Sequence, residues 1–305
     1  MSGFVQRSML IMPLNVPRFV EKAYLRNADA ILLDLEDAVP PTEKEQARRA
    51  VKEAIRSAAR GGADVLVRVN NDREMLDEDL DASVFPDLHG IFLPKVESAD
   101  QVTELDAAIT ALEKQRGITS GKVKIAIHVE SPLGILKCEE IAAASSRTES
   151  MSLGTDDYCL EMGISPSADA AELFHPLSVL ATVSKAWGIA PLGIMGSVAE
   201  FSDLEAFERA ALRSRDLGFV GAYCIHPGQV PILNRVFAPS AEQAYEAGRI
   251  IQAFERALDE GRASTSLDGR MIDPPVYKQA LQIVARADAV AQKEAVKADA
   301  LARHQ

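Results

Sequence analysis

Cysteine is scarce in this chain. Cys138, Cys159 and Cys224 are scattered through 305 residues with no Cys-x-x-Cys pair. That spacing offers neither a zinc framework nor a disulfide framework, and it fits a reduced, cytoplasmic protein with buried thiols. Positive charge is also in deficit: 33 Lys and Arg stand against 45 Asp and Glu, a formal net charge of −12. Such a chain is not built for nucleic acid or an anionic membrane as a general partner, although a locally basic pocket can still hold an anionic ligand. No run is long and apolar enough to span a bilayer, and the first residues lack a charged region followed by a long apolar stretch. Neither a membrane span nor a secretory signal is therefore expected. Gly-x-Gly-x-x-Gly is missing after the first apolar run, which counts against an open dinucleotide-binding sheet.

What is present is a repeating order. Hydrophobic residues make up 47% and charged residues 26%, the balance of a globular protein long enough for one large α/β domain or two medium ones. The organising stretch is Ala30-Ile31-Leu32-Leu33-Asp34-Leu35-Glu36-Asp37-Ala38-Val39. It starts as a run apolar on both faces, which suits a buried parallel strand. It ends in Asp34, Glu36 and Asp37, crowded acids that repel one another unless a cation or good hydrogen bonds sit there. Solvated acids leading into the next helix are the plainer alternative. Apolar strands are expected at 8–12, 30–39, 65–70, 90–95, 123–130, 150–154, 190–194 and 221–225. Helical spacing follows nearly all of them, at 17–27, 42–60, 98–114, 135–144, 168–187 and 201–217. Thr42 and Glu45 have capping-box spacing, and Pro176 is expected to kink or break its helix. Residues 71–89 read as a polar, acid-rich connection, and 262–269 as a small polar loop between a helix at 241–261 and a last helix reaching about 301. Strict β-α alternation fits either a doubly wound sheet or a (β/α)8 barrel, which takes about 250 residues. The α/β reading adopted is a (β/α)8 TIM barrel over 1–238 and a C-terminal helical extension over 239–305, free to act as a lid.

A barrel gathers its chemistry at the carboxyl ends of its strands. There the chain puts Glu36, Asp37, Arg68, Asn70, Lys95, His128, Glu130 and the turn Gly154-Thr155-Asp156-Asp157. Alternation sets Asp34 with Glu36, Arg68 with Asn70 and His128 with Glu130 on common faces. Glu130 and one aspartate of the Asp156-Asp157 pair suffice for a hard cation such as Mg2+, which keeps several waters. Without a His-rich ligand set, zinc and copper are disfavoured. Arg68 offers a planar fork for a carboxylate or oxyanion, and a metal with an arginine favours an enolate. Each residue also has a plain structural role: Arg68 paired with Glu36, Glu130 neutralised by Lys95, Asp157 capping a helix, His128 and His226 as hydrogen-bonded structural histidines. A Schiff base at Lys95 is disfavoured because surrounding acids hold the amine protonated.

The motifs together carry a resemblance. Arg7-Ser8-x-Leu10, Lys22-Ala23, Ala28-Asp29-Ala30, Asp34-Leu35-Glu36-Asp37-Ala38-Val39, Lys44 and Ala47-Arg48 come first. Val67-Arg68-Val69-Asn70, Leu93-Pro94-Lys95-Val96-Glu97-Ser98, Val129-Glu130-Ser131-Pro132-Leu133-Gly134, Gly154-Thr155-Asp156-Asp157 and Ile225-His226-Pro227-Gly228-Gln229-Val230 follow in order. The chain resembles the HpcH/HpaI aldolase and citrate lyase superfamily, and more closely its citrate lyase β-subunit-like branch with malyl-CoA and citramalyl-CoA lyases. The resemblance implies a barrel, a Mg2+ site in which Mn2+ can substitute, and a CoA thioester as substrate. It assigns Arg68 to the keto acid and enolate, Glu130 to metal and substrate, Asp157 to the metal, and Glu36 and Asp37 to metal-bound waters. It also assigns Asn15, Arg18 and Lys22 to the CoA phosphates, Asp273 to general acid/base catalysis from a C-terminal lid, and the chain to a homo-oligomer, a trimer or hexamer. Ser131-Pro132-Leu133 departs from the Thr-Ala-Leu of citrate lyase β chains, and the segment 269–277 resembles stand-alone CoA lyases. The expected activity is Mg2+-dependent cleavage or formation of a β-hydroxyacyl-CoA such as malyl-CoA or citramalyl-CoA, with acetyl-CoA and a 2-keto acid as the other side. Three rivals remain: a citrate lyase β subunit acting on an acyl carrier protein, a metal-dependent aldolase of free hydroxy-keto acids, and a non-catalytic acyl-CoA-binding barrel.

Overall fold

The computed structural model describes residues 3–199 and 201–303. The chain divides into two compact units, residues 6–237 with those from 297 onward, and residues 238–296 with the chain's start.

The first unit is built on eight strands: β1 (Ser8–Pro13), β2 (Ala30–Asp34), β3 (Asp64–Arg68), β4 (Gly90–Leu93), β5 (Lys124–Val129), β6 (Thr148–Leu153), β7 (Ala190–Leu192) and β8 (Ala222–Cys224). They pair in parallel in the order β7-β6-β5-β4-β3-β2-β1-β8. A parallel bridge between Leu192 and Gly221 joins the two ends of that order, and Gly193 N donates to Gly221 O at 2.9 Å beside it. The sheet thus closes into the α/β (β/α)8 barrel that the strand-helix alternation predicts. Every residue of β2 is buried, as a strand covered on both faces requires. Alternate residues, among them Leu10, Ile31, Leu33, Val65 and Val67, join the large apolar cluster shared with the surrounding helices. The rings of Phe92 on β4 and Tyr223 on β8 lie 5.3 Å apart. Those strands are not sheet neighbours, so the rings meet across the barrel interior.

Ten helices accompany the strands among the described residues: α1 (Pro17–Val20), α2 (Lys44–Ala59), α3 (Arg73–Ser83), α4 (Ala99–Gln115), α5 (Pro132–Leu136), α6 (Cys138–Ala143), α7 (Thr155–Met162), α8 (Phe174–Ala186), α9 (Leu204–Asp216) and α10 (Val230–Val236). Several differ from expectation. The helix at 17–27 reduces to α1 and a 3-10 turn, Ala23–Leu25, because only Val20 and Ala23 of these two elements are buried. Thr42 is no N-cap: it lies in the 3-10 turn Pro41–Glu43, which tightens the chain after Pro40, and α2 begins without a side-chain cap. Pro176 sits in the first turn of α8, where its missing N–H has no helical acceptor to lose, so no kink follows. Helix α3 occupies the stretch read as a connection. Asp72 caps it, accepting from Glu74 N at 2.9 Å, and buried Leu80 and Asp79 hold it down.

In the second unit, α11 (Ala241–Asp259) is capped by Ser240 and Gln243 in a reciprocal box. The expected loop is an antiparallel hairpin of β9 (Thr265–Leu267) and β10 (Arg270–Ile272), followed by α12 (Pro274–Ala302), whose residues from 297 onward belong to the first unit. Asp268 and Gly269 turn the hairpin with φ of 51° and 78°, the left-handed pair of a type I′ turn. No helix among the described residues is long and apolar enough to cross a membrane.

Candidate active site

The carboxyl ends of β2 to β6 bring most of the expected residues together. Asp34 and Arg68 are the last residues of β2 and β3 and are register partners. Arg68 Nε donates to Asp34 Oδ1 at 2.7 Å and Nη2 to Oδ2, while Nη1 stands 3.2 Å from Glu36 Oε2. The other acceptor sites of Asp34, which is fully buried, take Glu36 N at 2.8 Å and Ala38 N at 3.1 Å. Burial alone would lower the Arg68 pKa, but its bonds and Coulomb attraction to Asp34 outweigh that and raise it, so the guanidinium stays charged. Lys44, the first residue of α2, pins the loop after β2. Its Nζ donates to Leu35 O, Glu36 O and Asn70 Oδ1 at 2.8, 3.0 and 2.8 Å.

Lys95 follows β4 in a left-handed conformation, φ 53°, uncommon for a residue with a side chain. Asn71 Nδ2 holds that turn by donating to Pro94 O at 2.9 Å and Lys95 O at 3.1 Å. The ammonium pairs with Glu36 and with Asp37 Oδ1 at 3.2 Å. Partial burial pulls its pKa down, but the bond to Glu36 and both acids raise it well above the ordinary lysine range. The acids split in response. Burial leaves the Glu36 carboxyl raised despite Arg68 and Lys95, whereas for Asp37 burial is outweighed by Glu36 and Lys95 and the pKa falls. A cleft of about 510 Å³ opens beside this group, lined by Glu36, Asp37, Lys44, Asn70, Asn71 and Lys95 among others.

Glu130 comes directly after β5 and is 4% exposed. Its Oε1 lies 3.4 Å from Lys95 N and 3.6 Å from His128 Nε2, and its Oε2 is buried without a hydrogen-bond partner. Burial, then the charges of Asp157 and Glu36, push its pKa up to about 8. His128 is pushed down to about 3 by burial and by Arg68 and Lys95, so it is neutral. Its Nδ1 is 2.6 Å from Ser152 Oγ, which donates to Ile127 O at 3.1 Å.

Asp156 and Asp157 lie exposed in the first turn of α7. Gly154, not Asp157, is the N-cap of that helix, and Asp156 accepts from Ser197 Oγ at 2.9 Å. A carboxylate oxygen buried without a donor is costly. Glu130 Oε2, with a second acid close enough to raise its pKa, forms a hard-oxygen donor set that suits Mg2+. Among the described residues no group of three or more His, Cys, Asp or Glu converges as a metal-ligand set, so water or substrate oxygens would complete the shell.

The other expected residues make contacts of their own. Asn15 donates to Glu43 Oε2 at 2.7 Å, and its Oδ1 is buried without a partner. The Arg18 guanidinium sits 5.0 Å from the Phe19 ring, and Lys22 is exposed just past α1. In the second unit, Asp273 caps α12, its Oδ1 accepting from Val276 N at 3.2 Å. His226 Nδ1 accepts from Gly228 N at 3.1 Å, and its ring stacks on Phe201. In the sequence Asp34 stands out only as a member of the acid cluster. Its alternation with Glu36 was the available signal.

A closed parallel barrel that gathers acids and a clamped arginine at the carboxyl ends of its strands has the layout in which barrel enzymes place their active sites. Residues 7–227 match the HpcH/HpaI aldolase/citrate lyase family, and the chain belongs to that family. It is 34% identical over 286 residues to the citrate lyase subunit beta of Leuconostoc mesenteroides subsp. cremoris, across 93% of this chain and 94% of that one. It is 35% identical over 307 residues to the L-malyl-CoA/beta-methylmalyl-CoA lyase of Rhodobacter capsulatus, across 93% and 95%. The solved structure of CitE from Mycobacterium tuberculosis in complex with magnesium, acetoacetate and coenzyme A is similar with a TM-score of 0.71 and 27% identity, across 92% of this chain and 97% of that one.

Proposed function

We propose that this lyase is a Mg2+-dependent cytoplasmic enzyme that cleaves, or forms, the carbon–carbon bond of a β-hydroxyacyl-CoA, with acetyl-CoA and a small 2-keto acid on the other side. The observation that carries the reading is the pairing of a clamped Arg68 at the end of β3 with a buried, partnerless oxygen on Glu130 at the end of β5, one strand apart in the barrel. Glu130 and Asp157 would hold the cation, with Glu36 and Asp37 towards its waters. Bound Mg2+ supplies Lewis-acid polarisation of the substrate oxygens. Arg68 binds the keto-acid portion and stabilises charge on oxygen. In cleavage the hydroxyl proton passes to the Asp273 carboxylate, the C–C bonding pair passes to the thioester α-carbon, and Asp273 returns that proton to the carbon; in condensation Asp273 takes the proton from the α-carbon and gives it to the new hydroxyl oxygen. Asn15, Arg18 and Lys22 meet the CoA phosphates. We place Asp273 on the extension of a neighbouring subunit, acting as a lid in a homo-oligomeric trimer or hexamer.

The citrate lyase subunit beta at 34% identity favours a second reading, a subunit acting on a carrier-protein thioester. A panel of malyl-CoA, citramalyl-CoA, citryl-CoA and their carrier-protein counterparts separates the two, with free thiol and keto acid measured independently. Magnesium-dependent release of a keto acid from a CoA thioester is the expected result. Turnover of carrier thioesters alone would support the second reading. CoA binding that ignores chelator, with no turnover, would leave a binding barrel.

A further inference from the structure

We infer that Asp34 is the positioning residue of this site, fixing which N–H groups of Arg68 face the substrate. A guanidinium has five N–H donors. Nε and one hydrogen of Nη2 go to the two oxygens of Asp34, while Nη1 stands 3.2 Å from Glu36 Oε2 as an ion pair without a directed hydrogen bond. Two hydrogens on Nη1 and one on Nη2 remain, so the Nε edge is taken and a ligand carboxylate meets the Nη1–Nη2 end of the fork. Asp34 cannot itself serve as base or metal ligand, because it is fully buried and its oxygens are engaged by Arg68, Glu36 N and Ala38 N. Its position on β2 also explains the clamp: the register pairs it with Arg68, so the two side chains leave neighbouring strands at one level.

This inference rests on the reading of Arg68 as the group that holds the keto acid. The test is a double-mutant cycle on kcat/KM, using Mg2+ and the CoA thioester turned over fastest in the panel above. Misplacing the fork by about an ångström should lower kcat/KM about 10²-fold in Asp34→Asn. Added to Arg68→Lys, which already lacks the fork, the same substitution should change little. Equal losses in both backgrounds would overturn the inference, since Asp34 would then act only through the loop amides it also binds. A wild-type value in Asp34→Asn would overturn it too. Full activity in Arg68→Lys would instead sink the reading of Arg68. If Asp34→Asn does not fold, Asp34→Glu keeps the charge and shifts the fork by one methylene. It should show the same loss, and unchanged kcat/KM in folded Asp34→Glu would overturn the inference.

Discussion

Gly154 and the side chain of Glu130 occupy adjoining space. A Cβ on residue 154 would lie 2.7 Å from Glu130 Cγ and 2.8 Å from His128 Nε2. Gly154 N also donates to Val129 O at 2.8 Å, so the backbone there cannot retreat without losing a barrel bond. Glycine at this position keeps the orphan carboxylate in place, and its φ of −77° requires no left-handed freedom. Gly154→Ala should therefore act on the site through steric displacement. Mg2+ affinity, measured by titration calorimetry, should weaken tenfold or more, about 1.4 kcal/mol, while the folded fraction changes little. Unchanged affinity would mean that Glu130 does not hold the cation.

Glu130 should also leave a pH signature in the cation-free protein. Its folded pKa is raised from 4.5 to about 8, so the folded state keeps a proton that the unfolded chain has lost. Between those pH values the unfolded state binds fewer protons, and stability falls as pH rises. Glu130→Gln mimics the protonated acid at every pH. In chelator, the melting temperature of wild type should drop below that of Glu130→Gln from about pH 5 to 9, and Mg2+ should rescue wild type only. Parallel melting curves would contradict the raised pKa.

Lys95 should not form a Schiff base. Its bonds to Glu36 and Asp37 raise its pKa, so the amine is protonated across the neutral range and lacks the lone pair for attack. Borohydride reduction in the presence of pyruvate, read by mass spectrometry, should leave Lys95 unmodified and activity intact. An adduct on Lys95 would point to amine-based aldolase chemistry.

For Asp273 the structure supplies the cap that makes substitution informative. Its carboxylate accepts from Val276 N, and Asn caps a helix as well as Asp. Asp273→Asn should leave the melting temperature nearly unchanged while turnover falls about 10²–10⁴-fold. Turnover within a few-fold of wild type would limit Asp273 to its cap. Mixed oligomers of inactive Arg68→Ala and Asp273→Ala should regain activity if a neighbouring subunit supplies the aspartate. No regain, in mixtures that exchange subunits, would assign both residues to one chain.

The eight strands and most barrel helices were legible in the sequence because burial on both faces and apolar periodicity are local properties. The acids and the arginine at strand ends were legible for the same reason. Helix α3 was hidden because its surface acids mask a short apolar stripe, Leu76 and Leu80. The hairpin of the second unit was written in Asp268-Gly269, whose left-handed turn chemistry is a known signal. The pairings were not legible. That Arg68 is clamped by Asp34 and also stands near Glu36, and that the Lys95 ammonium pairs with Glu36, depends on the register between strands far apart in sequence. A shift of one residue in a parallel pair turns every side chain to the other face, and no local pattern encodes that shift. The sequence by itself determined which groups stand at the barrel mouth. Only the closed sheet, which levels Asp34 with Arg68 and brings Gly154 against Glu130, decided which of them are clamped and which oxygen is left without a partner.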